Sequence, residues 1–387
     1  MSLPLNVLYV NSQGTLGGVE RFLDSVLKHH NTETVRPVLL SCQDGDWLDH
    51  VRDHGIKVYC LANARLRQPR RCFREISRIL QAEKVDVVHS SYAWCHALVS
   101  PAATWHGCKQ VWFHHGPVWP QRWQGIMPLV PADLVLTNSR FLLNELRKTF
   151  FSAKRVGVVH YSLDTRDWFP QAELRAIFRK QWNVDNETVA VGIAGFLDDW
   201  KGQDVFLEAA FALRKQRLPL RMFIIGGPRS GSASTRCLQF ESKLRNFVRD
   251  RQLEDIVSFT GHLDTRNGAL DGIDIFVHAS TTPEPFGMTI LEAMAKGKPV
   301  IASAEGGPAE IIADGIDGLL VPPRRPNELA AAIRFLCDEP EKRNQLGAKG
   351  LNKVTTVFSP KRATEKLECW YMRLTSCDDG PSDQPGH

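Results

Sequence analysis

The sequence predicts an α/β protein made of two doubly wound domains. Three observations carry that expectation. Short apolar runs alternate with helical stretches along 387 residues. The runs are apolar on both faces, as strands of a parallel sheet covered on both sides must be. The alternation also stops at a polar, proline-bearing segment and then restarts, and the length suits two domains of ordinary size.

The chain opens with the apolar run LNVLYV (5–10) and the glycine loop NSQGTLGG, followed by Val19, Phe22, Leu23, Val26 and Leu27 at helical spacing. That order reads strand, loop, helix. Further strands are predicted at 35–41, 56–61, 85–90, 110–115, 132–138 and 155–160. After DTRDWFPQAE the rhythm begins again at TVAVGIAG (188–195) and runs through LRMFIIGG, DIVSFTG, DIFVHAS, KPVIAS and GLLVPP. This predicts a first domain over 1–168, a second over 169–360, a helix over 361–376 returning to the first domain, and a flexible tail over 377–387. Paired sheets of this kind turn strand C-termini and helix N-termini toward a central cleft, so chemistry is sought in loops that follow strands.

Composition narrows the class. With 43% hydrophobic, 24% charged and 9% aromatic residues, low-complexity disorder, a coiled coil and a collagen repeat are excluded. No apolar stretch approaches the roughly 18 residues of a spanning helix. The start MSLPLNVLYVNSQG carries neither a basic leader region nor a small-residue cleavage site, which predicts a cytoplasmic protein able to sit at the inner face of a membrane. Nine scattered cysteines with no Cys-x-x-Cys pair read as reduced thiols.

The net charge of +5 is uneven, since residues 1–165 hold 19 Lys and Arg against 13 Asp and Glu. Much of the excess is Arg65, Arg67, Arg70, Arg71, Arg74 and Arg78. Two readings stand for that cluster: a solvated helix face, or a dock for anionic lipid head groups.

Residues 274–312 carry the most chemistry. A strand ends near Ala279, a loop holds Glu284, Pro285, Phe286 and Gly287, and a helix containing Glu292 follows. The amides of Phe286, Gly287 and Met288 open that helix as donors suited to a phosphate or sugar oxygen, and Gly287 permits close approach. Glu292 lies about 7.5 Å along the axis at 1.5 Å per residue, so the two acids serve different parts of one extended ligand, such as a sugar and a ribose.

Glu284 and Glu292, with seven residues between them in EPFGMTILEAMAKGKPVIAS, resemble the signature of retaining glycosyltransferases of family 4, which share the twin Rossmann-like GT-B architecture. The resemblance runs over residues 5–375 through LGGVERF, FHHGP, ADLVLTNSRF, VVHYSLDTRDWFP, GFLDDWKGQDVFLEA, FIIGGP and VSFTGH. It implies metal-independent, cofactor-free transfer of a sugar from a nucleotide diphosphate donor with retained anomeric configuration. By matched position Glu284 binds donor-sugar hydroxyls, Glu292 the ribose, and the amides of Phe286 to Met288 sugar and phosphate. Lys201 neutralises the leaving diphosphate, which Gly17 and Gly18 approach from the other domain, and His115 lies near the transferred sugar. Gly261, His262 and Leu263 match the region against which the base lies; uridine ranks first and guanosine second. No carboxylate is clearly placed as a nucleophile, so front-face displacement is the implied route.

One position departs from the family: Gly195 is followed by Phe196 where an arginine is usual, and Arg229 in GGPRSGSAST is the candidate replacement. For the acceptor, Trp94, Trp105, Trp112, Trp119 and Trp123 suggest a stacking surface, part of it core packing. With the arginine cluster they point to a glycan, lipid-linked or small-molecule acceptor in surface polysaccharide or glycolipid synthesis, with peripheral contact to an anionic membrane. The competing readings are a nucleotide-sugar epimerase of the same architecture and an inactive sugar-nucleotide binder. Nucleic-acid binding is disfavoured, because the basic excess is modest and no recognised motif accompanies it.

Overall fold

A computed structural model describes residues 3–62, 68–116, 130–148, 155–227, 235–263 and 268–376. Arg65, Arg67, Trp119, Trp123, Arg229, Cys377 and the tail at 377–387 lie outside the described residues. The chain divides into two units, Met1–Leu163 with Ser359–His387, and Asp164–Phe358.

The first unit holds a seven-stranded parallel sheet of β1 (Leu5–Asn11), β2 (Val35–Ser41), β3 (Lys57–Cys60), β4 (Val87–Ser91), β5 (Lys109–His114), β6 (Leu134–Thr137) and β7 (Val156–Val158), in the order β3-β2-β1-β4-β5-β6-β7. Between them run α1 (Gly18–His29), α2 (Asp46–Asp53), α3 (Pro69–Ala82), α4 (Ala93–Trp105) and α5 (Arg140–Arg147). The central strands are buried because helices cover both sheet faces: Val7, Leu8, Val87, Val111 and Val135 are all buried, as are the polar His89, Ser90 and Ser91 that end β4.

The second unit opens with α6 (Ala172–Gln181). Its six-stranded sheet comprises β8 (Val189–Ala194), β9 (Leu220–Ile225), β10 (Val257–Gly261), β11 (Ile275–His278), β12 (Val300–Ser303) and β13 (Leu319–Val321), in the order β10-β9-β8-β11-β12-β13 and again parallel. Its other helices are α7 (Gln203–Arg214), α8 (Thr235–Asp250), α9 (Met288–Ala295), α10 (Pro308–Ile311), α11 (Pro326–Asp338) and α12 (Pro340–Thr356). Both sheets reverse strand order beside their first strand, the doubly wound pattern that the alternation predicts. Below the second sheet a buried ion pair, Lys296 Nζ to Asp271 Oδ2 at 2.7 Å, is completed by the Phe169 carbonyl at 2.9 Å from the ammonium. Removing one partner of such a pair leaves an uncompensated buried charge.

Helix α13 (Pro360–Thr375) packs on α1 within the first unit. A directional chain of hydrogen bonds fastens it. His89 Nδ1 lies 2.6 Å from the Tyr371 hydroxyl, which lies 2.9 Å from that of Tyr9; Tyr9 in turn lies 2.6 Å from His30 Nε2, and His30 Nδ1 lies 2.8 Å from Glu368 Oε1. If His30 donates to the carboxylate, each hydroxyl donates onward in the same sense and His89 donates through Nδ1; the tautomers are fixed by their neighbours. The same Glu368 accepts from the Asn31 amide and the Thr34 hydroxyl. The chain from His89 to Glu368 is buried throughout, so the network specifies where α13 seats as well as binding it.

Eight of the nine cysteines are described, and none of the eight is in a disulfide. Among the described residues no helix is long and apolar enough to cross a membrane.

Candidate active site

The carboxyl ends of β8 and β11, which pair in the second sheet, bring the charged residues of that unit together. The loop after β8 ends in Gly202, the N-terminal cap of α7, whose φ of +77° lies in the left-handed region. A Cβ at Gly202 would overlap the Ala279 carbonyl oxygen, so only glycine lets this loop lie on the end of β11. The Trp200 carbonyl accepts from the Thr281 amide at 2.8 Å and fastens the two loops. From that seat Lys201 Nζ reaches Glu284 Oε1 at 2.9 Å, while Nζ stands 4.0 Å from the centroid of the Trp200 ring.

Glu284 is held from three sides. Its carboxylate, 13% exposed, takes Lys201 on Oε1 and the Ser280 hydroxyl on Oε2 at 2.9 Å. His278 Nε2 stands 2.8 Å from Oε2, close in distance but off the line of an aligned hydrogen bond, and neither His278 ring nitrogen has a hydrogen-bond partner among the described residues. Burial alone would raise the Glu284 carboxyl; Lys201 and His278 outweigh it and hold the group below the usual carboxylate range. Behind the loop, the Gly307 amide donates to the Glu284 carbonyl at 2.8 Å. Gly306, with φ +71°, leaves room for that contact where a Cβ would overlap the Glu284 backbone.

The helix that follows is α9. Gly287 caps it, Phe286 is buried against Phe358, and Met288 is its first residue. The first amides of any helix lack intrahelical acceptors, so the start of α9 presents N–H groups and the positive end of its dipole beside Glu284. Glu292 lies farther along α9 and is only 1% exposed. On the opposite side of β8, the Gly226 amide donates to the Gly261 carbonyl at 2.9 Å, and the exposed His262 ring stacks on Phe196 at 6.3 Å with 10° between planes. Leu263 beside it is half-buried.

In the first unit, Gly17 caps α1 and its amide donates to Glu20 Oε2 at 3.1 Å. The buried Glu20 also accepts from Asn11 Nδ2 at 3.1 Å and the Tyr92 hydroxyl at 3.3 Å. Burial raises its carboxyl, and these donors offset part of the rise. Gly18 is the first residue of α1.

His115 follows β5 directly. Its Nδ1 lies 2.7 Å from the Tyr161 hydroxyl, its carbonyl accepts from Asn138 Nδ2 at 3.2 Å, and its Nε2 has no partner among the described residues. Burial, then His89 and His114, lower its pKa well below the ordinary histidine value, so the imidazole is neutral. His114 packs on Trp112 and His115 stacks on Phe113, the two-residue alternation of an extended segment.

Sequence reading missed Ser280, His278 and Glu20. The first two lie two residues apart at a strand end, the spacing that puts side chains on one side, and that was the available signal. Of the expected tryptophans, Trp112 is buried in the core beside Val135 and Leu146 and Trp94 packs half-buried on the α3–α4 core, the part read as core packing, while Trp119 and Trp123 lie outside the described residues. Trp105 remains, 78% exposed. Among the described residues no group of three or more His, Cys, Asp or Glu is arranged to hold a metal ion.

The model of the family described as glycosyltransferase family 4 matches residues 16–167, and that of glycosyl transferases group 1 matches residues 175–353, so the two together take in both units. The chain belongs to glycosyltransferase family 4. A D-inositol 3-phosphate glycosyltransferase of Kribbella flavida is 27% identical over 75% of this chain and 75% of its own. Another from Corynebacterium urealyticum is 27% identical over 65% of this chain, and the match spans 60% of that relative's length. Anabaena Alr3699/HepE in complex with UDP superposes with a TM-score of 0.83 at 20% identity, covering 95% of this chain and all of the other, which shows a shared GT-B fold. Within this family 4 member, the eight residues Met288–Ala295 of α9 carry the second signature glutamate, and the loop before it carries the first.

Proposed function

We propose that the protein transfers a sugar from a nucleotide diphosphate sugar to a hydroxyl group, keeping the anomeric configuration. The observation that carries this reading is the Lys201–Glu284 pair at the start of α9 in a family 4 chain. Breaking the bond between the anomeric carbon and the diphosphate oxygen leaves extra negative charge on the diphosphate. Lys201 and the first amides of α9 are preorganised donors for that charge, the arrangement that lowers a barrier most in a site of restricted solvent access. Glu284, kept ionised by its neighbours, accepts hydrogen bonds from hydroxyls of the donor sugar, and Glu292 from those of the ribose.

Transfer proceeds on one face. The acceptor oxygen bonds to the anomeric carbon as the diphosphate leaves, and the acceptor proton passes to the departing phosphate oxygen. Neutral His115, whose buried Nε2 has no partner among the described residues, is assigned one hydrogen bond with a sugar hydroxyl. Uridine diphosphate is the first donor base to test and guanosine diphosphate the second; the UDP complex of Alr3699/HepE supports that ranking.

For the acceptor, a glycan, a lipid-linked sugar or a small polyol phosphate all present the required hydroxyl, and the inositol-phosphate relatives favour including the last. The surface of α3 and α4 supports work at an anionic membrane. Arg70, Arg71, Arg74 and Arg78 are exposed there, Phe73 meets Trp105 edge to face, and a groove of about 770 Å³ runs between Pro69, Phe73, Leu98 and Pro101.

A melting-temperature screen with UDP, GDP, ADP and their common sugar esters, followed by nucleotide release with and without acceptor, tests the reading. Stabilisation by one nucleotide family and acceptor-dependent release are expected. Stabilisation with no release would leave only a binder, and donor conversion without acceptor would indicate an epimerase.

A further inference from the structure

Phe196 puts an aromatic ring just after β8, beside the loop that carries Lys201, and the ring is not folded into the core. It is 39% exposed at the carboxyl end of β8. Its backbone is fixed: the Phe196 carbonyl accepts from Gln203 Nε2 at 2.9 Å, and the next amide, Leu197, donates to the Gly227 carbonyl at 3.2 Å. The ring lies nearly parallel to that of His262, which follows β10. Gly195 and Gly261, which precede the two rings, border open space: a Cβ on either would meet nothing within 4 Å.

Strand order converts these positions into a sequence of chemistries. Along β10-β9-β8-β11 the edge reads His262, then Phe196, then Lys201 with Glu284. Adjacent strands lie about 4.8 Å apart, so the row from β10 to β11 spans about 14 Å. It presents a flat apolar shelf at one end and a cation with a carboxylate at the other. A ligand matching that order has a planar aromatic group, an anionic middle and a hydroxyl-rich end. A phenyl ring cannot bind phosphate as a guanidinium does, but it offers a face to a planar base.

We infer that Phe196, backed by His262, is a stacking shelf for the nucleobase of the donor, so that base stacking supplies part of this chain's donor affinity. The inference rests on the nucleotide-sugar reading above and assigns a specificity role within it.

Isothermal titration of the protein with UDP, GDP, UMP and inorganic pyrophosphate separates base from phosphate. In Phe196→Ala, affinity for the preferred nucleoside diphosphate and its monophosphate should fall about tenfold, the scale of losing one base-stacking contact. Affinity for pyrophosphate should stay within about twofold, and Phe196→Tyr should bind as wild type does. His262→Ala should give a smaller loss of the same pattern. Unchanged nucleotide affinity in Phe196→Ala, or an equal loss for pyrophosphate, would overturn the shelf while leaving the nucleotide-sugar reading intact. A wild-type chain that binds pyrophosphate but none of the nucleotides would overturn both. Phe196 is exposed enough for the variants to fold, and unchanged melting temperatures without ligand confirm that each comparison is sound.

Discussion

Lys201 Nζ lies 2.9 Å from Glu284 Oε1, so the cation proposed for the diphosphate is held beside the carboxylate proposed for the sugar. The two are brought together by loops from separate strands, so their spacing is set by the sheet rather than by a flexible segment.

Lys201→Ala is therefore expected to lower kcat by about 10²- to 10³-fold, the usual loss for one preorganised donor to a developing anion. Steady-state nucleotide release from the preferred donor measures it. A loss confined to KM would mean that Lys201 serves ground-state binding only.

Gly202→Ala tests how the loop is held. A side chain there needs a left-handed φ and meets the Ala279 carbonyl, so the loop must lift from β11 and separate Lys201 from Glu284. Reduced turnover together with a lower melting temperature is expected. Wild-type kinetics in a folded Gly202→Ala variant would detach the loop seat from function.

Acid should weaken the first unit before other effects intervene. Burial lowers His96 and His114 to about 4 and His89 to about 3. The unfolded chain takes up these protons as pH falls through about 6.5, whereas the folded chain resists until about 4, so the unfolded state binds more protons and stability is lost across that window. Melting temperature should fall from pH 6.5 to 4, and His114→Phe should reduce the slope. A melting temperature independent of pH in that range would contradict the buried neutral imidazoles.

Vesicle sedimentation tests the membrane surface. Wild-type protein should pellet with vesicles containing anionic lipid at low salt and not with neutral vesicles. Arg70→Glu with Arg74→Glu should abolish pelleting, and added salt should weaken it, because each cation near such a surface contributes about 1 kcal/mol. Equal pelleting of the double variant would remove α3 from the interaction.

The strands were legible because buried parallel strands are written as unbroken apolar runs: VAVGIA and IFVH are each buried from end to end. Edge strands were read too long, since β7 keeps three residues, Val156–Val158, where the apolar run continues to His160. Glu284 and Glu292 were legible through their fixed spacing along one chain segment. His278 and Ser280 were not, because their approach to Glu284 depends on how the loop after β11 folds. The stacking of Phe196 on His262 joins loops after two strands with a third between them, a proximity that only the sheet order creates. Trp112 and Trp105 look alike in composition, yet one is in the core and the other in solvent, because burial follows the covered face and not the residue type.

Titration of UDP into the wild-type protein and into Lys201→Ala bears on the charged cluster itself. Wild-type protein should bind UDP, and Lys201→Ala, folded at the temperature of titration, should bind it at least about tenfold more weakly, a loss of about 1.4 kcal/mol. Equal affinity of the two proteins would contradict a diphosphate held by Lys201 at the start of α9.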